Sequence, residues 1–288
     1  MTKQLNLFFE LTRLKRPIGY MLLFWPCAWG LTLAYDFSND LNNYFFYLSL
    51  FFLGSVLMRS AGCVVNDISD KEFDKKVERT KNRPIASNKV SVKLAIFYTI
   101  ILCSLAFLVL INFNNLTIVL ALCSMPLAFT YPLMKRFTYW PQLFLGITFN
   151  YGLILGWTSI TNEISIVVII FYLGAIFWTL GYDTIYGFQD IKDDEIIGIK
   201  STSIKFKKEP KNFVTVCYIF LLSSILIVGF LMNYNYFFYL SLLITVIHLF
   251  FYQIKIFNSK IPMNCLKIFR SNNTIGLIIF FNILVGKI

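Results

Sequence analysis

Charge is scarce in this sequence. Only 14% of its 288 residues are Asp, Glu, Lys or Arg, against about a quarter in a soluble domain. That shortage excludes a disordered chain and a coiled coil, both of which depend on abundant charge. Histidine is nearly missing as well: His248 is the only one, and it lies in an apolar stretch. A lone imidazole cannot build a zinc site, and it leaves no Ser-His or Cys-His nucleophile pair to expect, so His248 is read as structural. The six cysteines (Cys27, Cys63, Cys103, Cys123, Cys217, Cys265) are scattered without a CxxC spacing. They suggest no disulfide framework and read best as small buried hydrophobes. Strict alternation of polar and apolar residues is absent too, which argues against transmembrane strands.

What is abundant is apolar surface: 57% of the chain is hydrophobic and 18% aromatic, with 31 phenylalanines. Nine runs approach the roughly 20 residues that a bilayer-spanning helix needs. They cover 17–35, 44–63, 94–112, 116–133, 141–160, 164–182, 213–232, 236–255 and 271–287. The polar stretch before the first run, with Arg13, Lys15 and Arg16, superficially resembles a signal peptide. The run itself is long enough to cross a membrane, so it is read as a retained first helix behind an amphipathic segment.

The net charge of +11 would suggest nucleic acid in a soluble protein; here its distribution points elsewhere. With the N-terminus inside, all of the 26 basic residues except Arg59 and Lys287 fall on inside segments, and the outside loops around Asp36, Asn114, Glu163 and Asn233 carry none. This is the positive-inside asymmetry, and it predicts a cytoplasmic N-terminus and an outside C-terminus.

Two inside segments, 64–93 and 183–212, are much longer than the other connections. They follow the second and sixth spans, and each opens with acidic residues. The pattern predicts a parallel internal repeat of four helices plus a ninth, with a site at the repeat interface. In the first segment Asn66/Asp67, Asp70 and Asp74 share one face if the second helix continues past Cys63. In the second, Asp183, Tyr186, Asp190 and Asp194 form a similar stripe. Like charges at this spacing repel. Nearby Lys71, Lys75, Lys76 and Arg79 offset that repulsion if the stripes are merely solvated loops. A divalent cation offsets it if they form a site. An all-oxygen donor set suits Mg²⁺, which typically takes one or two carboxylates together with substrate phosphates. Two such stripes at matching places favour the metal, and a lipid diphosphate explains why the site lies in a membrane protein. Phe-rich helices are ordinary lipid-facing structure as well as candidates to enclose an isoprenoid tail.

The residues at these positions resemble those of the UbiA-type membrane prenyltransferases. The run from Leu57 through Arg59 to Asn66 and Asp67, followed by Asp70, Asp74 and Arg79-Thr80-Lys81-Asn82-Arg83-Pro84, is similar to the first Asp-rich motif of that family. Tyr182-Asp183-Thr184, Tyr186, Asp190, Asp193, Asp194 and Ile197 to Thr202 are similar to the second. Tyr131-Pro132, Met134-Lys135-Arg136 and Pro141-Gln142 look like the branch that acts on 4-hydroxybenzoate. Lys71 stands where relatives often have Arg, and Glu195 extends an acidic run interrupted by Lys192.

The resemblance covers essentially the whole chain, 1–288, as a single polytopic domain. It implies an all-α bundle of about nine transmembrane helices that transfers a polyprenyl group from its diphosphate to the 4-hydroxybenzoate ring, ortho to the hydroxyl, in ubiquinone biosynthesis. It implies Mg²⁺ held by Asn66, Asp67, Asp70 and Asp74 and by Asp183, Asp190 and Asp194, with Asp70, Asp74, Asp190 and Asp194 as the catalytic carboxylates. Arg136 is expected to grip the benzoate carboxylate. Asn66, Arg59, Arg79, Arg83, Lys200 and Tyr182 are further substrate-binding candidates. Arg59 equally suits helix packing, and Arg79, Arg83 and Lys200 equally suit salt bridges or lipid headgroups. The setting expected is a bacterial inner (plasma) membrane, with the Asp-rich loops cytoplasmic, the lipid bilayer as surroundings, and neither nucleic acid nor an obligate protein partner. Two other readings remain: a prenyltransferase with a naphthoate, homogentisate or haem acceptor, and a transporter, which predicts charges near the bilayer midplane.

Overall fold

The computed structural model describes residues 2–287, with Thr2 and Lys3 described by their backbone alone. Every regular element among the described residues is helical. In chain order they are α1 (Thr2–Thr12), α2 (Ile18–Ala34), α3 (Leu41–Ser69), α4 (Lys71–Asp74), α5 (Val92–Leu110), α6 (Asn115–Thr130), α7 (Pro141–Thr161), α8 (Ile166–Gly187), α9 (Ile191–Ile197), α10 (Thr202–Lys205), α11 (Pro210–Leu231), α12 (Tyr236–Val246) and α13 (Pro262–Lys287). A 3₁₀ turn, Tyr131–Arg136, prolongs α6, and a π-helical stretch, Ile247–Ile254, prolongs α12.

Eight of these helices, counting α6 and α12 with their extensions, are long and apolar enough to cross a membrane; the ninth, α2, is a 17-residue apolar helix. Local chemistry starts them where the apolar runs predict. The side chains of Asp40, Asn114, Ser165 and Asn235 accept the N–H of Asn42, Thr117, Val167 and Phe238 at the first turns of α3, α6, α8 and α12, satisfying donors that a helix start leaves free. Proline, which lacks the N–H, begins α7, α11 and α13. The helices outrun the apolar runs mainly at the end of the bundle that carries the basic loops, called here the basic end. There α3 continues to Ser69, α8 to Gly187, and α13 starts at Pro262 instead of near residue 271.

The short helix α2 lies inside, against α3, α7 and α13. Around it α3 meets α5, α7 meets α8, α8 meets α11, and α12 meets α13. The α2–α7 crossing is the closest. A Cβ built on Gly156 would lie 2.3 Å from the Cys27 carbonyl oxygen, and one on Gly30 would lie 2.0 Å from that of Leu153. With no hydrophobic effect between helices in lipid, small residues that let backbones touch supply the packing energy. The helices that meet here are the first members of the two expected four-helix repeats, and the second members, α3 and α8, carry the two acidic motifs.

The outer face is oily: Phe45, Phe97, Phe230 and Phe237 are all exposed. Cys27, Cys63, Cys217 and Cys265 are buried, as expected, but Cys103 is half-buried and Cys123 exposed. On a lipid-facing helix an apolar thiol needs no protein cover. His248 lies in the π-helical stretch, its ring 5.0 Å from that of Tyr252.

Candidate active site

Both acidic motifs are built the same way. Asn66 and Asp67 stand on the last turn of α3, and at Asp70 (φ −98°, ψ 5°) the chain leaves the helix. The short α4 then delivers Asp74, whose N–H donates to the Asp70 carbonyl at 2.8 Å. In the second motif Asp183 and Tyr186 stand at the end of α8, Asp190 (φ −114°, ψ 8°) turns the chain, and Asp194 in α9 donates its N–H to the Asp190 carbonyl at 2.9 Å. The spacing reading had each stripe on one uninterrupted helix; each is instead broken at its central aspartate. A continuous helix would carry Asp74 about 10 Å beyond Asp67 along the axis. The break turns the chain out of the straight helix, and the carboxylates of both motifs line one space.

That space is a cavity of about 1010 Å³ at the basic end. Asn66, Asp67, Asp70 and Asp74 line one side, and Tyr182, Asp183, Tyr186, Asp190 and Asp194 line the other. Tyr20, Leu22, Phe149 and Phe269 give it an apolar and aromatic wall.

Most of the carboxylates are engaged by cations. Asp67 accepts from Arg13 at 2.5 Å and from Arg83 at 3.2 Å, and Arg83 also holds Asp74 at 2.8 Å. Lys135 pairs with Asp70. Arg79, on the loop after the first motif, reaches across to the second: its Nε donates to Asp190 Oδ1 at 2.7 Å and its Nη1 to the Tyr186 hydroxyl at 3.4 Å. Among the described residues, Asp183 and Asp194 have no Lys, Arg or His within 4 Å. Burial and the neighbouring Asp190 charge push the Asp194 carboxyl up to about 7. Burial also lifts Asp74 above the usual carboxylate range, against the pull of Arg83.

Arg59 and Lys200 also line the cavity. The Arg59 guanidinium lies 5.4 Å from the Phe149 ring centre, and its buried Nε has no hydrogen-bond acceptor. Lys200 donates to the Phe137 carbonyl at 3.2 Å. The buried Tyr182 hydroxyl accepts from Thr179 at 3.2 Å. Arg136 stands apart. It is exposed, does not line the cavity, donates to the Ser69 carbonyl at 2.6 Å and sits 5.2 Å from the Phe73 ring centre.

Two cations of the site were not singled out from the sequence. Arg13 reaches in from the end of α1 through a left-handed backbone (φ 55°), for which the sequence holds no signal. Lys135 is adjacent in the chain to Arg136, and the motif that holds both does not distinguish which of them meets a carboxylate.

The donor set can be tested against a metal. No three His, Cys, Asp or Glu side chains converge as a ready-made cage among the described residues, so a preformed zinc-type site does not fit. Hard oxygen donors on two sides of a gap do fit Mg²⁺, whose remaining ligands come from water and phosphate. Asp70 Oδ1 is buried without a donor. A buried carboxylate oxygen left unpaired costs free energy, and a cation would relieve it.

Residues 23–283 match the UbiA prenyltransferase family. The chain is 42% identical to the mitochondrial 4-hydroxybenzoate polyprenyltransferase of Bos taurus, over 99% of its own length and 76% of that protein. It is 40% identical to the 4-hydroxybenzoate octaprenyltransferase of Francisella tularensis subsp. novicida, over 96% of both. Among solved structures it is similar to a UbiA homolog from Archaeoglobus fulgidus bound to GPP and Mg²⁺, with a TM-score of 0.68 and 17% identity, covering 96% of this chain and 99% of that one. That last likeness speaks for the fold.

Proposed function

The chain belongs to the UbiA prenyltransferase family, and from that premise we propose that it transfers a polyprenyl group from its diphosphate to the ring of 4-hydroxybenzoate, ortho to the hydroxyl. The observation that carries the reading is the meeting of two Asp corners and a set of Arg and Lys side chains around one cavity with an aromatic wall. It is joined by 40% identity along nearly the full length of a 4-hydroxybenzoate octaprenyltransferase. The transporter alternative gains nothing here: the acidic clusters stand at the ends of α3 and α8, not midway along them.

The cofactor we propose is Mg²⁺, held by Asn66, Asp67, Asp70 and Asp74 from one side and by Asp183, Asp190 and Asp194 from the other. Bound there, it would neutralise the charge of the departing diphosphate. The protein's own cations do the rest. Arg79, Arg83 and Lys135 are already aimed at the carboxylates, so each is within reach of phosphate oxygens once a metal occupies those carboxylates. The arginines offer planar forks suited to phosphate. Arg59, with a free donor beside the Phe149 ring, suits the carboxylate of the aromatic acid better than Arg136, which points away. The rings of Tyr186, Phe149 and Phe269 line the cavity, where aromatic faces would stabilise a developing allylic cation. Residues of the segments 64–93 and 183–212 line the cavity, and a site closed there would keep out the water that quenches that cation. The protein is a multi-pass membrane protein. We place it in a bacterial inner membrane with the basic end cytoplasmic, acting in ubiquinone biosynthesis.

The test uses purified protein in detergent or liposomes with 4-hydroxybenzoate, a polyprenyl diphosphate and Mg²⁺, with product followed by mass. Prenylated hydroxybenzoate that disappears with EDTA and in both Asp70→Asn and Asp190→Asn is the expected result. Turnover with a naphthoate or homogentisate and none with 4-hydroxybenzoate would move the substrate. No turnover with any aromatic acceptor would overturn the reading.

A further inference from the structure

We propose that Arg136 is a positioning residue that holds the Asp70 corner in shape for metal binding, and that it touches neither substrate. The proposal rests on the prenyltransferase reading of the cavity and assigns one exposed residue outside its wall.

The corner at Asp70 has a structural problem. The last turn of α3 leaves carbonyls without helical partners, and the chain bends there between two carboxylates that must stay in register. Arg136 Nη2 donates to the carbonyl of Ser69, the residue immediately before Asp70, at 2.6 Å. The same guanidinium lies 5.2 Å from the ring centre of Phe73, the residue immediately before Asp74. One planar group therefore ties the backbone just before Asp70 to the side chain just before Asp74, using its hydrogen-bonding edge for Ser69 and its cation–π contact for the Phe73 ring. The second corner meets the same demand locally. There Gln189, just before Asp190, donates its Nε2 to the Tyr186 carbonyl of α8 at 3.0 Å.

The clamp has a fixed base. Lys135, the preceding residue, pairs with Asp70, and its carbonyl accepts the N–H of Lys200 from the second motif's loop at 2.9 Å. The Tyr131–Arg136 turn is thus tied to both motifs, and a change at Arg136 is felt at Asp70 and Asp74. To bind the aromatic acid, Arg136 would have to abandon both Ser69 and Phe73.

Two measurements separate these roles. Mn²⁺ binding to purified enzyme without substrate, read by electron paramagnetic resonance, reports the metal site directly; initial rates report the KM for 4-hydroxybenzoate. For Arg136→Gln the expected result is a rise of about tenfold or more in half-saturating Mn²⁺, the range found when outer-shell partners of metal ligands are removed. The acceptor KM should stay within about twofold of wild type, since a residue outside the substrate contacts leaves uniform binding unchanged. Arg136→Lys, which can still reach Ser69, should recover part of the loss, and Phe73→Leu should reproduce part of it. If Arg136→Gln does not fold, these two variants carry the test. A tenfold rise in acceptor KM with Mn²⁺ binding unchanged would overturn the proposal and make Arg136 a substrate ligand. Unchanged values for both would also overturn it. Weakened Mn²⁺ binding in a protein that prenylates no aromatic acid would keep the clamp and sink the functional reading.

Discussion

Gly156→Ala should damage this protein more than its size suggests. Backbone atoms of α2 stand in the way: the new methyl would lie 2.3 Å from the Cys27 carbonyl oxygen and 2.6 Å from the Leu31 nitrogen. No rotamer change relieves a clash with backbone. An ordinary contact begins near 3.4 Å, so α2 must retreat from α7 by about 1 Å, the difference between those distances. Overpacking of this kind costs about 1–3 kcal/mol, and the upper end applies because nothing flexible can yield. Both helices line the cavity, α2 through Tyr20 and Leu22 and α7 through Gln142 and Phe149, and a misplacement of about 1 Å can cost about a hundredfold in rate. Gly62→Ala is the matched control. Its methyl would meet nothing within 4 Å, and alanine is the better helix former by about 1 kcal/mol. Thermal unfolding in detergent and product formation by mass should therefore show Gly62→Ala at or above wild type and Gly156→Ala melting several degrees lower with much reduced turnover. If the two variants melt together and turn over alike, the α2–α7 contact does not hold the halves in register and the reasoning fails.

Three further outcomes follow from the site. Arg79→Lys keeps the charge and loses the fork that spans Asp190 and Tyr186; the KM for polyprenyl diphosphate should rise about tenfold with that for 4-hydroxybenzoate unchanged, which initial rates with each substrate varied will show. Arg59→Gln should do the reverse, raising the acceptor KM roughly tenfold to a hundredfold, the worth of a hydrogen bond to a charged group, with Mn²⁺ binding intact. The third concerns pH. The Asp194 carboxyl is held up to about 7 by burial and by Asp190, so below pH 7 it carries a proton that a metal must displace, and above it the carboxylate is ready. Half-saturating Mg²⁺ should therefore fall as pH rises from 6 to 8, and Asp194→Asn should flatten that dependence in a metal titration.

Much of the architecture was legible because bilayer physics is local. Apolar length and the sidedness of Lys and Arg are properties of short stretches, and they located nine helices, the long basic-end loops and both acidic motifs. The helix ends were less legible, because α3 and α8 carry polar residues in their last turns that face a cavity and so fall outside any hydropathy window. The breaks at Asp70 and Asp190 were not legible at all: a spacing of three and four residues looks the same in a straight helix and in one interrupted midway. The direction of Arg136 was not legible for a related reason. It shares a motif with Lys135, yet adjacent residues on a tight turn point apart, so Lys135 faces Asp70 and Arg136 faces the Ser69 carbonyl. Arg13 depends on a tertiary contact between α1 and α3 that no local pattern announces.

The glycine contact between α2 and α7 also bears on how the chain is made. Synthesis delivers α2 and α3 well before α7 and α8, so α2 enters the membrane with its glycine face uncovered and the first Asp corner without its counterpart. Until the fifth span arrives, the early helices form half of a bundle with a notch where α7 will lie. Insertion of α7 closes the notch, and α8 behind it brings the second Asp corner, so a string of separate spans becomes an enzyme only when both have arrived. A ribosome stalled before that point should hold a nascent chain that is embedded in the membrane, sensitive to protease at the 64–93 segment, and unable to bind metal.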